Sequence, residues 1–173
     1  RELGAAAPET VADMTEYGRW LDEPGGKSVM IYADLERTAA ELKRLSPADT
    51  AAIDGFVAAS RAFQRAGAFD IGMGEPPELA GRLDNLKLLW GMRPVLPYFI
   101  GKHNRTAAEF ARTLHDPDLS YIFENLFLPD APLWFLYMLF GLLADGQMGL
   151  LTQGCEGFVR PIEARYRELG GAI

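Results

Sequence analysis

Apolar and polar residues change their period several times along this chain. In KSVMIYAD (Lys27 to Asp34), Val29, Ile31 and Ala33 fall on one side and Met30 and Tyr32 on the other. That alternation is the signature of a strand with one buried face. TEYGRWLD precedes it, and Pro24-Gly25-Gly26 supplies turn chemistry between the two, so the pair reads as a hairpin. After Asp34, a natural N-cap, the period lengthens. Leu35, Thr38, Ala39, Leu42 and Leu45 recur at helical spacing, and LERTAAELKRL is predicted to be a short helix.

Ser46-Pro47-Ala48-Asp49 opens the next helix, with Ser46 at the N-cap, Pro47 at N1 and Asp49 in place of the usual capping-box glutamate. Ile53, Phe56, Val57, Ser60 and Phe63 carry its buried face to about Gln64. The Gly- and Pro-rich AGAFDIGMGEPPE reads as a loop. A helix is predicted from Glu78 to Met92 with Leu79, Leu83, Leu86, Leu89 and Trp90 inward, broken by Pro94 and Pro97. Short helices follow over Thr106–Leu114, from Asp116-Pro117 to about Phe127, and over the apolar PLWFLYMLFGLL that starts at Pro132. DGQMGLLTQG reads as a loop, and Gly157–Leu169 as the last helix, ended by Gly170. The fold class is therefore α+β, mainly α: one helical domain with a small antiparallel hairpin near its N-terminus.

Composition narrows this picture in three ways. A hydrophobic fraction of 49% is enough to fill a core, which excludes a disordered chain. A net charge of −7 with scattered Lys and Arg argues against nucleic acid, which needs a basic face, and against anionic lipid held by charge alone. The apolar run of residues 132–143 is shorter than the ~20 residues of a membrane span, and no basic segment followed by an apolar core marks a signal peptide. The single cysteine, Cys155, excludes an internal disulfide and fits a reducing, cytoplasmic setting.

Candidate chemistry is sparse. GMGEPP carries Gly72 and Gly74, but Pro77 stands at the third glycine of a dinucleotide fingerprint and no strand leads into it. His103 and His115 lie twelve positions apart and far from Cys155, so zinc spacing is lacking and both read as loop or solvent-side histidines. Cys155 near a helix N-terminus would have a stabilised thiolate, yet no base lies close in sequence and a half-buried small residue is the plainer reading. The apolar helix stands out. Trp134, Phe135, Tyr137, Met138, Leu139, Phe140, Leu142 and Leu143 cover nearly its whole circumference. Such a helix is core, is covered by a partner, or lines a cavity for an apolar ligand.

Four stretches together resemble a known family. They are RELGA (Arg1 to Ala5), KSVMIYADLERTAAELKRLSPADTAAIDGFV, EFARTLHDPDLSYIFENLF and TQGCEGFVRPIEARYRELGGAI. Their order and content are similar to the phytoene desaturase-like family of FAD-dependent oxidoreductases, which includes carotenoid desaturases and isomerases and retinol saturases. The resemblance implies that residues 1–173 are the inserted substrate-binding domain alone. RELGA would be the tail of a helix, and the closing Gly-Gly-Ala-Ile would lead into a strand of a flavin-binding domain in the same polypeptide.

It further implies FAD in the whole protein, none held by this domain alone, and no catalysis by the isolated domain. Gly154 and Cys155 would lie where the substrate channel meets the flavin ring, with Gln153 standing where the family has a glycine and Pro161 delaying the helix start. Trp134, Phe135 and Met138 would meet an apolar, isoprenoid- or carotenoid-like substrate. Peripheral membrane contact and a homodimer stay open as partners. The competing expectation is a stand-alone helical module that binds a hydrophobic ligand or dimerises through the 132–143 helix.

Overall fold

A computed structural model describes residues 8–21, 28–67 and 90–173. In chain order its regular elements are β1 (Val11–Asp13), β2 (Glu16–Leu21), β3 (Ser28–Tyr32), α1 (Leu35–Leu45), α2 (Thr50–Arg65), α3 (Ala107–Ala111), α4 (Pro117–Asn125), α5 (Leu133–Ala144), β4 (Gly149–Leu151) and α6 (Gly154–Glu168). Single 3-10 turns occupy Pro8–Thr10, Pro47–Asp49, Leu96–Phe99 and Gly101–His103. The architecture is α+β and mainly α, as the periodicity required. The chain forms two compact units: Thr15–Asp145, and a smaller one made of the segment ending at Met14 together with Gly146–Ile173.

The larger unit opens with the expected hairpin. β2 and β3 are antiparallel, pairing Trp20 with Val29, Arg19 with Met30 and Gly18 with Ile31, with an irregularity between Glu16 and Gly18. Tyr17 sits at that irregularity and donates its hydroxyl to the Leu126 carbonyl at 2.7 Å. Val29 and Ile31 are buried, which is what their alternation demanded. The carboxylate of Asp34 takes the N–H groups of Glu36 and Arg37 at 2.8 and 2.9 Å, starting α1. Buried Thr38 ties helix to strand: its Oγ1 accepts from the Tyr32 N–H at 2.8 Å and donates to the Tyr32 carbonyl at 3.0 Å.

The start of α2 departs from the expected capping box. Ser46 makes no side-chain cap; its Oγ donates instead to Asp49 Oδ2 at 2.7 Å, and α2 begins one turn later at Thr50. The reason is long-range. Asp49 also accepts backbone N–H groups from His115 and Asp116, so its side chain turns inward. α3 has a reciprocal capping box between Thr106 and Glu109, and Asp116 caps α4 through the N–H groups of Asp118 and Leu119.

The core gathers around Phe56, whose ring meets Phe123 and Phe140 edge-on at 5.0 Å each and Tyr137 at 5.3 Å. α2 and α5 cross closely at Gly141. A Cβ there would stand 2.9 Å from the Gln64 backbone nitrogen and 3.0 Å from the Ser60 carbonyl oxygen. Backbone atoms cannot step aside, so Gly141→Ala is expected to push the helices apart and destabilise by about 1–3 kcal/mol. Thermal or urea unfolding checks this; an unchanged midpoint would show that the crossing has slack. The expected 78–92 helix lies mostly outside the described residues, as does most of the loop before it. Residues 90–92 are helical, but Trp90 is 73% exposed rather than inward.

In the smaller unit β1 and β4 pair antiparallel, Val11 with Leu151 and Asp13 with Gly149. DGQMGLLTQG therefore contains a strand where a loop was expected. α6 begins at Gly154, three residues before the expected start, and it runs through Pro161 instead of beginning there. It ends as expected: Gly170 has φ 87°, its N–H bonds the Arg167 carbonyl, and the Gly171 N–H bonds the Tyr166 carbonyl. No described side chain of this unit is buried. Among the described residues no helix is long and apolar enough to cross a membrane.

Candidate functional site

α5 is apolar all round, and packing divides it in two. Leu133, Leu136, Tyr137, Phe140 and Leu143 are buried in the core of the larger unit. Trp134, Phe135 and Met138, the residues expected to meet an apolar molecule, share the opposite, half-buried side. There the Trp134 ring lies 4.9 Å from Phe99, Phe135 lies 5.0 Å from Phe127, and the two rings meet edge-on at 6.2 Å. Phe127 is itself 45% exposed. Phe99, Trp134, Phe135 and Phe127 thus form an aromatic collar that a flat or chain-like apolar molecule could cover, gaining about 25 cal/mol for each Å² removed from water.

The second expected pair, Gly154 and Cys155, belongs to the smaller unit. Gly154 has φ 67°, a left-handed conformation that favours glycine, and no atom lies within 4 Å of where its Cβ would stand. The backbone here is bare, so a planar ring could approach it closely. Gln153 has φ −107°, which any residue adopts, so a glycine at 153 is not needed for this turn. Cys155 is exposed rather than half-buried. Among the described residues no group of three His, Cys, Asp or Glu side chains could hold a metal ion.

Two clusters were passed over in the sequence. The first surrounds Tyr137. Its hydroxyl lies 3.3 Å from His103 Nδ1, and the Tyr98 ring stands edge-on to both rings, at 4.9 Å from His103 and 5.7 Å from Tyr137. Burial pushes the Tyr137 hydroxyl up to about 12. Burial, and then the charges of Lys102 and Arg105, hold His103 below its ordinary value. At neutral pH a neutral imidazole therefore faces a protonated phenol. GKHNR, with three basic residues in five, was the signal for this cluster, but its His103 read as a loop or solvent-side histidine.

The second cluster is Asp49, 3% exposed, which accepts from Ser46 Oγ, the N–H groups of His115 and Asp116, and His115 Nδ1 at 2.8 Å. Burial alone would raise its pKa; the hydrogen bonds outweigh burial and hold the carboxyl well below the usual carboxylate range. With its acceptor capacity filled, this carboxylate joins two segments and has little left for chemistry. No family model, no curated protein and no solved structure matches the chain.

Proposed function

We propose that the larger unit is the substrate-holding lobe of an FAD-dependent oxidoreductase of the phytoene desaturase-like kind, acting on an apolar, isoprenoid-like molecule. One observation carries the reading. The β1–β4 ribbon brings the chain into and out of the larger unit on neighbouring strands, as an insertion requires, and the unit that holds this ribbon buries none of its described side chains. On α6 and at its C-cap, Phe158, Val159, Tyr166 and Leu169 are 37–68% exposed. A short helix and a two-stranded ribbon do not hold together without a covering surface, and a flavin-binding domain of the same polypeptide supplies one in this reading.

The flavin would provide the electron-accepting chemistry, which protein side chains lack. The bare backbone at Gly154, with the exposed Cys155 beside it, fits a planar ring seated on the turn. Trp134, Phe135 and Met138 would hold the substrate by contact and exclude water from it. No ionisable side chain of the collar takes part.

Fluorescence tests the substrate half of this reading. The chain has three tryptophans, so Trp20→Phe with Trp90→Phe leaves Trp134 as the sole source of tryptophan emission. Titration with a detergent-dispersed conjugated polyene is expected to quench it saturably, and Phe135→Asp to weaken that binding by about tenfold or more, equivalent to about 1.4 kcal/mol. Quenching that stays linear and is indifferent to Phe135→Asp would contradict the reading.

A further inference from the structure

We propose that a cavity between α2, Tyr137 and the Lys102–Arg105 turn binds a compact oxyanion, a phosphate or a carboxylate, through Lys102 and Arg105. This goes beyond the apolar-substrate reading and does not depend on it. The cavity measures about 150 Å³, several times the roughly 30 Å³ that one water molecule occupies in the liquid. It exists because α2 presents Ala51, Ala52 and Gly55 to it. At Gly55 an added Cβ would meet nothing within 4 Å.

Charge decides what the space suits. The chain as a whole carries −7, yet Lys102 and Arg105 line this cavity beside the neutral His103, and no described carboxylate does. Several other cations have carboxylates of their own: Lys43 pairs with Asp54, Arg61 with Glu36, Arg160 with Glu156 and Arg167 with Glu163. Neither Lys102 nor Arg105 has a carboxylate partner among the described residues.

Arg105 is the more telling of the two. It is half-buried, its guanidinium lies 4.9 Å from the Phe110 ring, and its Nε is buried with no hydrogen-bond partner. Its backbone is fixed, because the Leu133 N–H donates to the Arg105 carbonyl at 2.8 Å. A held, partly desolvated guanidinium without a carboxylate partner favours an oxyanion that would neutralise it. Burial first, and then these same two charges, lower the pKa of His103, the direction a cationic lining favours.

His103 also supplies the readout. It is one of only two histidines, and the other, His115, sits on Asp49 and serves as an internal control. Inorganic phosphate and acetate are titrated separately while the ring resonances are followed by NMR, against sodium chloride at matched ionic strength. The expected result is a saturable shift of His103, with its pKa raised, and no saturable shift of His115. The anion that binds more tightly identifies the head group. Arg105→Gln and the cavity-filling Gly55→Leu should each weaken that binding by at least about tenfold, since a hydrogen bond to a charged group is worth that much. Gly55→Leu adds no backbone strain, and leucine favours a helix more than glycine does, so lost folding would not explain lost binding. A His103 shift that only follows ionic strength, or one that both variants leave intact, would overturn the proposal.

Discussion

Phe56→Ala is expected to cost about 3–5 kcal/mol, the largest loss of any single core truncation in this chain. Phe56 is 2% exposed, and its ring meets those of Phe110, Phe123, Tyr137 and Phe140. These partners come from α3, α4 and α5, so the cavity left behind would open at the point where three helices converge on α2. Domains of this size are stable by only about 5–15 kcal/mol, and the variant would sit near the edge of folding. Urea unfolding followed by far-UV circular dichroism measures the loss. Phe135→Ala is the internal comparison. Its half-buried ring leaves a dent open to water rather than a sealed void, and well under half the Phe56 loss is expected.

Asp49→Asn has the second-largest expected effect, about 2–4 kcal/mol at neutral pH, because it removes a buried charge that several donors converge on. An amide oxygen can serve some of these donors, but the amide N–H₂ would confront others. The pH dependence has a definite sign. The folded-state pKa lies below the unfolded value of 3.8, so Asp49 contributes stability that is fully present above about pH 5. That contribution falls away as the pH drops through 3.8 toward the lower folded value. The stability gap between wild type and Asp49→Asn should therefore be widest near neutral pH and shrink below pH 4. A gap that stayed constant from pH 7 to pH 3 would show that the carboxylate is not held in its charged form.

These two predictions also show what the sequence could and could not reveal. The stripe of Leu35, Thr38, Ala39, Leu42 and Leu45, the β2–β3 alternation and the Asp116 cap were legible because each depends on neighbours within a few residues. What escaped depends on distant partners. Gly149–Leu151 is too short to alternate, and its strand character comes from β1, more than a hundred residues earlier. Ser46 gives up its cap because His115 and Asp116 supply the donors that turn Asp49 inward. α6 runs through Pro161 although proline is a poor residue inside a helix, so a start at Gly157 was the natural reading and Gly154 the observed one.

The candidate site followed the same rule. Residues 132–143 announced an apolar helix, but a helix apolar on every side has no preferred face. Gly141 settles the matter. Its contact with Gln64 and Ser60 turns one side of α5 against α2 and leaves Trp134, Phe135 and Met138 on the half-covered side. The glycine turn at 154 was placed by the resemblance, and its left-handed conformation explains why a glycine stands there. The cationic cavity was not legible, since Ala51, Gly55, Lys102 and Arg105 meet only after folding.

The proposed substrate-holding lobe needs a flavin-binding domain of the same polypeptide to complete it. The most direct measurement is the visible absorbance of the full-length protein that contains these residues, purified without added cofactor and then denatured to release what it holds. The claim predicts a flavin spectrum with free FAD recovered near one equivalent per chain, lost when the flanking segments are removed. A full-length protein that neither carries FAD nor takes it up on reconstitution would contradict it.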